Sequence, residues 1–495
     1  MSTNESFSSR WGLLLAALGM AVGTGNIWRF PRIIAQNGGG AFLIPWLIFL
    51  FLWAIPLLMV ETAMGRHTRF GAVGAFGKLI GRRFTWMGCF VGWCTMAITF
   101  YYSVVTGWCI KYLTAALGGG LLGVDGSVYW DTFQTTTWQP IFFHLLAISI
   151  GGFIVYKGVV GGIERASKLL IPTLFVILVI AAVRALTLPG ASAGLDFLFN
   201  PNWSDLLDYR IWLEGLTQSA WSTGAGWGLL LTYSIYTHSK QDIVMNSVTI
   251  GFGNNAASVL AAMAIIPTVF AVFPAMQAAG LTDATNAGEI LQKGGPASTG
   301  LTFMWLPRLF EQIPYGGFFL TLFFFALLVA ALSSLIAQIE LGTRIFMDAG
   351  LSRPGAVKFV VTGAFLLGIP SAVSLGFFGN QDNVWGIGLM VSGFLFAVAV
   401  RKFGAARFRE ELIEPANNDL PIGRWFDFII KFVIPVEFFI MIGWWLWKAS
   451  TSEEAWWDPF AVFSLGTCLF QWAVVLVIFW IFNDRIATAT LGEEQ

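Results

Sequence analysis

Long apolar segments, separated by short polar or glycine-rich loops, follow one another along the whole chain. Most are long enough for a helix that crosses the hydrocarbon core of a bilayer, and the fourth and tenth are short. The pattern predicts an all-α membrane protein with twelve transmembrane helices in a single domain, residues 1–495. The segments begin near Trp11, Ala41, Met87, Ile141, Leu169, Ile211, Ile243, Gly317, Val357, Val384, Phe428 and Phe460.

The first apolar segment is interrupted where a membrane helix should be continuous. It has three glycines in the seven positions 19–25, followed by Asn26 and Arg29. Glycines alone also suit close helix packing, but polar residues inside the bilayer are costly and usually functional. A helix that breaks there leaves peptide groups that must contact protein, ions or a water-filled cavity. Its free amides suit a carboxylate, and its free carbonyls suit a hard cation such as sodium.

The sixth segment repeats this interruption, with glycines at positions 224, 226 and 228 after Gln218 and Ser222. Two interrupted segments, five apart in order, are typical of transporters built from inverted repeats, whose substrate binds between the breaks. We therefore expect a 5+5 inverted repeat with helices 11 and 12 appended. Its parts are residues 11–186, residues 211–402 and residues 426–482.

The composition agrees with a membrane protein and argues against a soluble protein. The chain is 56% hydrophobic and 11% charged, with a net charge of zero, and a soluble protein has about twice that charged fraction. Four cysteines fall in apolar segments as small core residues, and three dispersed histidines lack metal-ligand spacing. Because no nucleophile–base pair or metal cluster is evident, we do not expect an enzyme. We also expect no nucleic-acid partner. The oligomeric state is left open.

Lys and Arg residues are concentrated in loops on one side of the predicted bundle. They cluster at residues 66–83, 157–168, 344–358 and 401–424, on the same side as the N-terminus. Because positively charged loops favour the cytoplasm, we expect both termini there, in a multi-pass protein of the cytoplasmic membrane. The first residues have no basic n-region, so we expect no cleavable signal peptide.

Polar side chains in the sixth, seventh and eighth segments are spaced to share helix faces. Hydroxyls in membrane helices often bond only to their own backbone, so each residue is a weak signal alone. Together they are expected to converge on the two breaks. They are Glu214, Gln218 and Ser222 in the sixth segment, Asn254 and Ser258 in the seventh, and Ser333, Ser334, Gln338 and Glu340 in the eighth.

Two specific motifs surround the first break. They read AVGTGNIWRFP at residues 21–31 and NGGGAF at residues 37–42. They resemble the signature of the neurotransmitter:sodium symporter family, and the short tails and missing outer-loop cysteines are similar to its bacterial members. The likeness covers nearly the whole chain and continues at Glu61 to Gly65, Tyr101, Tyr102, the sixth segment, Asn254, Ser333, Ser334 and Asp382.

The resemblance implies the leucine-transporter fold and sodium-coupled import of a carboxylate-bearing small solute by alternating access. A neutral amino acid is the expected substrate, and a betaine, taurine or GABA-like osmolyte is the alternative. A non-transporting sensor or an ion channel on the same fold is a further alternative, against which the intact sodium ligands argue. Two sodium ions are implied, and chloride is left open.

The family pattern also implies ligands for both sodium ions. Oxygen ligands from unwound backbone and hydroxyls suit a hard monovalent cation. The first ion would use the Ala21 carbonyl, Asn26, Ser222, Asn254 and the substrate carboxylate. The second would use the carbonyls of Gly19, Val22 and Ala330 with the hydroxyls of Ser333 and Ser334.

The implied substrate site lies between the breaks, below an outer gate. Gly23 has no side chain where monoamine-transporting members have an aspartate, so a carboxylate-bearing substrate fits better. The outer gate would be Arg29 with Asp382, closed over Tyr102 and Trp221, with Phe303 contributed by the outer lid. The substrate site would comprise Ala21, Gly23, Thr24, Gly25, Ile98, Tyr102, Trp221, Ser222, Gly224, Trp227, Ser334 and Gln338.

One departure from the family pattern concerns the cytoplasmic latch. Asn4 and Phe7 stand where family members usually have an arginine and a tryptophan. Asp348, the expected partner of that arginine, is present without it. We therefore expect a weak latch, or replacement of the missing arginine by Arg10 or water.

A chloride site is the other open question. Its candidate residues are Trp46, which stands in place of a usual tyrosine, Gln218, Ser222 and Ser258. Chloride-independent relatives have a carboxylate near the position of Ser258, so a serine there favours chloride. Glu214, one turn before Gln218, is an alternative source of negative charge, although a solvated position near the outer end of the helix is the simpler interpretation.

Overall fold

The computed structural model describes residues 5–292, 300–452 and 455–493, and these residues fold into helices without a β-strand. Each of the twelve predicted apolar segments contains at least one helix, so the predicted all-helical fold class is confirmed. Asn4, one of the two latch positions, lies outside the described residues.

The helices follow one another with mostly short connections. Up to the second interruption they are α1 (Arg10–Ala21), α2 (Thr24–Ile27), α3 (Arg29–Gln36), α4 (Gly40–Phe49), α5 (Ile55–Thr68), α6 (Ala72–Ile80), α7 (Thr85–Leu117), α8 (Gly126–Thr135), α9 (Trp138–Tyr156), α10 (Arg165–Leu186), α11 (Ala191–Phe199), α12 (Tyr209–Ser222) and α13 (Leu229–Ser234).

The second part of the chain continues in the same way. Its helices are α14 (Val244–Ala278), α15 (Ala287–Gln292), α16 (Leu306–Glu311), α17 (Gly316–Asp348), α18 (Arg353–Val373), α19 (Leu375–Phe403), α20 (Ala405–Phe408), α21 (Trp425–Phe428), α22 (Ile434–Ser452), α23 (Leu465–Ile481) and α24 (Asn483–Leu491). Short 3₁₀- or π-helical turns adjoin several helices, at Leu50–Ala54, Arg82–Phe84, Val159–Glu164, Trp203–Leu207, Leu301–Trp305, Arg409–Ile413 and Ile429–Val433.

By length and apolar composition, eight helical stretches among the described residues could each cross a membrane. A ninth results if α23 and α24, which meet at 63°, form one bent span. The first and sixth segments lack a helix of this length because their helices end at the breaks. The eight stretches are Gly40–Thr68, Arg82–Leu117, Trp138–Tyr156, Val159–Leu186, Val244–Ala278, Gly316–Asp348, Arg353–Val373 and Leu375–Phe403.

The apolar pattern predicted a short tenth segment, but its helix in the structure is long. Its helix α19 has 29 residues and begins at Leu375, well before the predicted start near Val384. Ser374 caps this start, because its hydroxyl accepts a hydrogen bond from the Phe377 amide at 3.2 Å. A side-chain cap satisfies an amide that has no partner inside the helix, so a polar residue can start a helix before the apolar run begins.

The first predicted interruption is present as a break between α1 and α2. α1 ends at Ala21, and Gly23 has extended backbone with φ −105° and ψ −172° before α2 begins at Thr24. The Asn26 Oδ1 atom accepts a hydrogen bond from the Gly23 amide at 2.9 Å. A side chain therefore supplies the partner that this amide has lost from the helix.

The second interruption separates α12, which ends at Ser222, from α13, which begins at Leu229. Gly224, Gly226 and Gly228 have φ values of 72°, 86° and 78°. This left-handed region is strained for residues with a Cβ atom, so three glycines at alternate positions allow the chain to leave helical geometry here.

Side chains from three continuous helices satisfy the peptide groups of the second break. Glu61 on α5 is fully buried and accepts hydrogen bonds from the amides of Gly226 at 2.6 Å and Leu231 at 3.1 Å. Ser392 on α19 donates to the Gly226 carbonyl at 2.6 Å, and Thr95 on α7 donates to the carbonyl of the next residue, also at 2.6 Å. The break is therefore held by protein groups, as a polar backbone in hydrocarbon requires.

The breaks lie among the helices that form the centre of the bundle. α1 packs against α10, α14 and α17, while α17 also packs along α7. α13 packs against α5, where a Cβ atom on Gly65 would overlap the Leu231 carbonyl. Both broken segments are thus surrounded by continuous helices that fix their position.

We expect Glu61→Ala to destabilise the protein strongly, because two buried amides of the second break lose their acceptor. Each unsatisfied buried group costs about 1–3 kcal/mol, so a loss of about 2–6 kcal/mol in unfolding free energy is expected. The matched control is Thr62→Ala, whose hydroxyl only bonds back to the Leu58 carbonyl at 2.8 Å. Thermal unfolding of both purified variants tests this, and equal melting temperatures would contradict it.

Candidate functional site

A cavity of about 230 Å³ lies between the two breaks. Every residue predicted for the substrate site lines it except Ile98, which is fully buried and is not part of the lining. The lining residues so predicted are Ala21, Gly23, Thr24, Gly25, Tyr102, Trp221, Ser222, Gly224, Trp227, Ser334 and Gln338. Those that sequence reasoning missed are Met20, Trp28, Arg32, Tyr101, Val105, Leu229 and Phe378.

Most of the missed residues are apolar or aromatic and give no polar signal within an apolar segment. Arg32 is different, because it follows Arg29 at a spacing of three residues and so lies on the same face of α3. That spacing was available in the sequence and points to a second cation on the cavity wall.

One end of the cavity brings the first break close to the hydroxyl of Tyr102. The Thr24 amide donates to this hydroxyl at 3.2 Å, and the Thr24 hydroxyl lies 3.4 Å from it. A Cβ atom on Gly23 would lie 3.0 Å from the Tyr102 hydroxyl and 3.1 Å from Ser334 Oγ. The lack of a side chain at residue 23 therefore leaves space between polar groups of α7 and α17.

Acceptor oxygens from three helices converge beside this end of the cavity. The Oδ1 atom of Asn254 lies 3.1 Å from the Ala21 carbonyl oxygen and 2.8 Å from the Ser222 carbonyl oxygen. Oxygens without a proton between them repel one another unless the amide turns round to donate or a cation lies among them. Ala21 ends α1, Ser222 ends α12 and Asn254 lies within α14, so both breaks take part.

The hydrogen bonds around this cluster oppose a turned amide. The Asn26 Nδ2 atom donates to Asn254 Oδ1 at 2.7 Å. If the Asn254 amide rotated by 180°, its NH₂ group would face the Asn26 NH₂ group, and two donors would meet. Asn26 cannot turn in response without breaking the bond from the Gly23 amide to its Oδ1. In its present orientation Asn254 Nδ2 donates to Ser222 Oγ at 3.1 Å and to Asn255 Oδ1 at 3.2 Å. The donor set therefore fits a hard cation among the three acceptors.

The second predicted ion site brings α17 hydroxyls to the end of α1. Ser334 Oγ lies 3.3 Å from the Gly19 carbonyl and 3.2 Å from the Met20 carbonyl. Ser333 Oγ donates to the Ala330 carbonyl within its own helix at 3.0 Å. Val22, also predicted here, is fully buried at the break. The Met20 carbonyl was not predicted, because its position depends on how α1 ends.

The predicted outer gate is not paired. Arg29 and Asp382 both line the cavity, but the described residues contain no ion pair between them within 4.0 Å. The Arg29 guanidinium lies over the Trp221 ring instead, 5.1 Å from its centroid. The cation–π interaction with Trp221 stabilises the Arg29 guanidinium at this position without an ion pair to Asp382.

The expected contribution of Phe303 to an outer lid is not supported by its position. Phe303 is fully buried and does not line the cavity. It packs on Tyr112 with ring centroids 4.7 Å apart and on Trp130 at 5.3 Å, and it meets the cavity residue Trp28 at 5.8 Å. It therefore supports the cavity wall from behind.

The predicted chloride residues are buried and incompletely paired. The Trp46 Nε1 atom and the Gln218 Oε1 atom have no hydrogen-bond partner among the described residues, and Ser258 Oγ accepts from Asn26 Nδ2 at 2.8 Å. Glu214 lines a different cavity of about 320 Å³, which meets the first at Arg29 and Trp221. This position agrees with the simpler interpretation of Glu214 as a residue near the outer end of α12.

The expected weak latch is wrong. Asp348 Oδ1 is paired with Arg344, one turn earlier on α17, at 2.8 Å, and Asp348 Oδ2 accepts from the Gly71 amide at 2.6 Å. Arg10 does not replace the missing arginine, because it pairs with Asp242 at 3.3 Å and Asp419 at 3.0 Å. Arg344 lies four residues before Asp348, so this partner was predictable from helical spacing, but only the family pattern was considered.

A different network fixes the chain before α1 at this end of the bundle. Glu5 pairs with Arg353 at 2.5 Å, and Arg353 pairs with the fully buried Glu340 at 2.7 Å. The Tyr236 hydroxyl donates to Glu340 at 2.5 Å. Phe7 is 2% exposed, and its amide donates to the Tyr236 carbonyl at 3.0 Å. These contacts therefore hold the chain before α1 against α17 and α18.

An all-helical bundle with two broken helices, a cavity between them and a cation-sized oxygen cluster is the architecture of an ion-coupled secondary transporter. The chain belongs to the sodium:neurotransmitter symporter family, whose family model matches residues 4–139 and 131–488. The family expected from the sequence is confirmed, and the protein is a multi-pass, sodium-dependent transporter.

Characterised and uncharacterised relatives agree with this assignment. The chain is 30% identical to an uncharacterized sodium-dependent transporter of Methanocaldococcus jannaschii over 451 residues, covering 87% of this chain and 88% of the relative. It is 31% identical to a similarly named protein of Haemophilus influenzae over 404 residues, covering 78% and 83%. The solved structure of MhsT in complex with L-phenylalanine is similar with a TM-score of 0.75 and 30% identity, covering 89% of this chain and 99% of that one.

Proposed function

We propose that this protein imports a neutral amino acid together with sodium, by alternating access to the cavity between the breaks. The observation that carries the proposal is the cluster of acceptor oxygens at Ala21, Ser222 and Asn254, two of which also line the cavity. A sodium ion there would hold the ends of α1 and α12 together, so binding of the ion would organise the site for the solute.

The other end of the site supports a substrate with a carboxylate. The Tyr102 hydroxyl accepts a hydrogen bond from the Thr24 amide and keeps its own O–H for donation to a solute, and Gly23 leaves space beside it. A carboxylate placed there would reach the first sodium ion and complete its oxygen shell. The relative MhsT was solved with L-phenylalanine, which supports an amino acid as the class of solute.

A second sodium ion belongs to the same proposal. It would lie between the carbonyls of Gly19, Val22 and Ala330 and the hydroxyls of Ser333 and Ser334. The proximity of Ser334 to the end of α1 supports this set. Both ions can drive transport only if they bind the outward-facing, loaded state differently from the inward-facing state.

We further propose twelve spans arranged as a 5+5 inverted repeat, with both termini in the cytoplasm. The breaks in the first and sixth segments support the repeat, and the positively charged loops support the orientation. The described conformation then fits an outward-facing state, because ion pairs hold the chain before α1 in place while Arg29 and Asp382 are not paired with each other.

We expect uptake to require sodium, because the acceptor clusters need a cation to balance them. Asn26→Ala and Ser333→Ala should reduce uptake in a sodium gradient to the level seen without sodium. Uptake of labelled amino acids into proteoliposomes, with choline replacing sodium as the control, tests this. Equal uptake in choline and sodium would refute sodium coupling.

Gly23→Asp should abolish binding of a carboxylate-bearing substrate. The new carboxylate would start from a Cβ atom 3.0 Å from the Tyr102 hydroxyl and occupy the proposed carboxylate position. Two negative charges in a buried site repel by roughly several kcal/mol. Equilibrium binding in sodium measures the effect, with Gly23→Ala separating loss of space from added charge. Unchanged affinity in Gly23→Asp would place the substrate elsewhere.

Transport is also expected to depend on chloride. The buried indole N–H of Trp46 has no partner among the described residues, the Gln218 amide nitrogen and the Ser258 hydroxyl are further donors, and a nearby sodium ion would be offset by an anion. Replacing chloride by gluconate at constant sodium should lower the initial uptake rate, and Glu214→Gln should keep this dependence. An undiminished rate in gluconate, combined with loss of transport in Glu214→Gln, would assign the negative charge to Glu214.

A further inference from the structure

Two amide side chains of the cavity lining, Gln218 and Gln338, have no partner for their acceptor atoms among the described residues. Gln338 on α17 lines the cavity and is 1% exposed, and its Oε1 atom has no hydrogen bond among the described residues. A buried amide without partners is costly, and most so in the interior of a membrane protein. Gln218 belongs to the candidate chloride site, and the other buried amides beside the cavity, Asn26 and Asn254, are hydrogen-bonded on both of their polar atoms.

The neighbouring polar groups cannot serve Gln338. Ser334, one turn earlier on the same helix, has its hydroxyl directed at the Gly19 and Met20 carbonyls. The Tyr102 hydroxyl faces the amide of Thr24. No group of the described residues bonds to Gln338 Oε1, so its partner is expected among the solutes that enter the cavity.

The position of Gln338 identifies which part of a substrate it meets. One helical turn, about 5.4 Å, separates it from Ser334, which borders the space at Gly23 proposed for the carboxylate. A group that reaches Gln338 is thus the far end of a substrate side chain. The cavity lining also includes Trp227 and Leu229, which are apolar apart from the indole N–H of Trp227.

Resting on the proposed amino-acid transport, we propose that Gln338 selects neutral amino acids whose side chain carries a hydrogen-bond donor, namely a hydroxyl, an amide or a ring N–H. Such a donor would pair with Gln338 Oε1, and a hydrocarbon side chain of the same shape would leave it unpaired. A site that holds a buried polar group discriminates strongly against an analogue that cannot bond to it.

Three amino-acid pairs of similar shape test this selection: threonine with valine, asparagine with leucine, and tyrosine with phenylalanine. Affinities are measured by calorimetry on the purified full chain in sodium chloride and in choline chloride. We expect the polar member to bind about tenfold more tightly or better in the pair that fits the cavity. Equal or tighter binding of the apolar member in every pair would overturn the inference.

A substitution separates Gln338 from the rest of the cavity. Gln338→Met keeps nearly the same length without the amide, so the preference should disappear or reverse in favour of the apolar member. The matched control is Gln471→Met on α23, whose amide bonds to Asn380 at 2.9 Å and Thr467 at 3.2 Å outside the cavity. This control should keep the preference. An unchanged preference in Gln338→Met would also overturn the inference.

The inference and the proposed function fail in different ways. Sodium-dependent binding of the apolar members alone would reject selection by Gln338 and leave sodium-coupled amino-acid transport intact. Absence of sodium-dependent binding for all six amino acids would reject both. Thermal unfolding of each variant in the same buffers shows whether a lost affinity reflects a lost fold.

Discussion

The structure depends on satisfying the peptide groups of a helix that stops inside the membrane. Glu61 does most of this for the second break, because one carboxylate accepts from the amides of Gly226, the middle one of the three glycines, and Leu231, in α13. Ser392 and Thr95 bond to the carbonyls between them. Without these side chains the left-handed backbone would have no counterpart for its polar groups in lipid. Side chains of neighbouring helices thus offset the free-energy cost of unpaired peptide groups, and this allows a break beside the cavity.

The two breaks share one boundary, and this explains how an ion and a solute can be linked. Asn26 bonds back to the first break and across to Asn254, which faces the end of α12. A cation at these oxygens would therefore fix the same backbone that lines the cavity. Coupling of two ligands requires that each changes the free energy of a state the other prefers, and a shared wall is a direct way to achieve it.

Features encoded locally were predictable from the sequence, and features assembled from distant segments were not. Glycine spacing predicted both breaks, and the family resemblance implied that Ser222, Ser334 and Gln338 line the cavity between them. The network of Glu5, Glu340 and Arg353 joins three separate segments, so no local pattern indicated it. Charge complementarity suggested that Arg29 pairs with Asp382, but the energy of stacking on a tryptophan depends on a geometry that sequence does not reveal.

The two ion pairs of Arg353 differ in how easily they can be broken. Glu340 is fully buried and Glu5 is 35% exposed, so the two carboxylates that share one guanidinium differ in their access to water. Water can replace the guanidinium at Glu5, whereas parting Arg353 from Glu340 would leave a buried charge without a counter-ion. Breaking the ion pair between Arg353 and Glu340 therefore costs more than breaking the ion pair between Arg353 and Glu5. In the proposed inward opening, we expect the chain before α1 to separate from α18 first, while α17 and α18 stay paired.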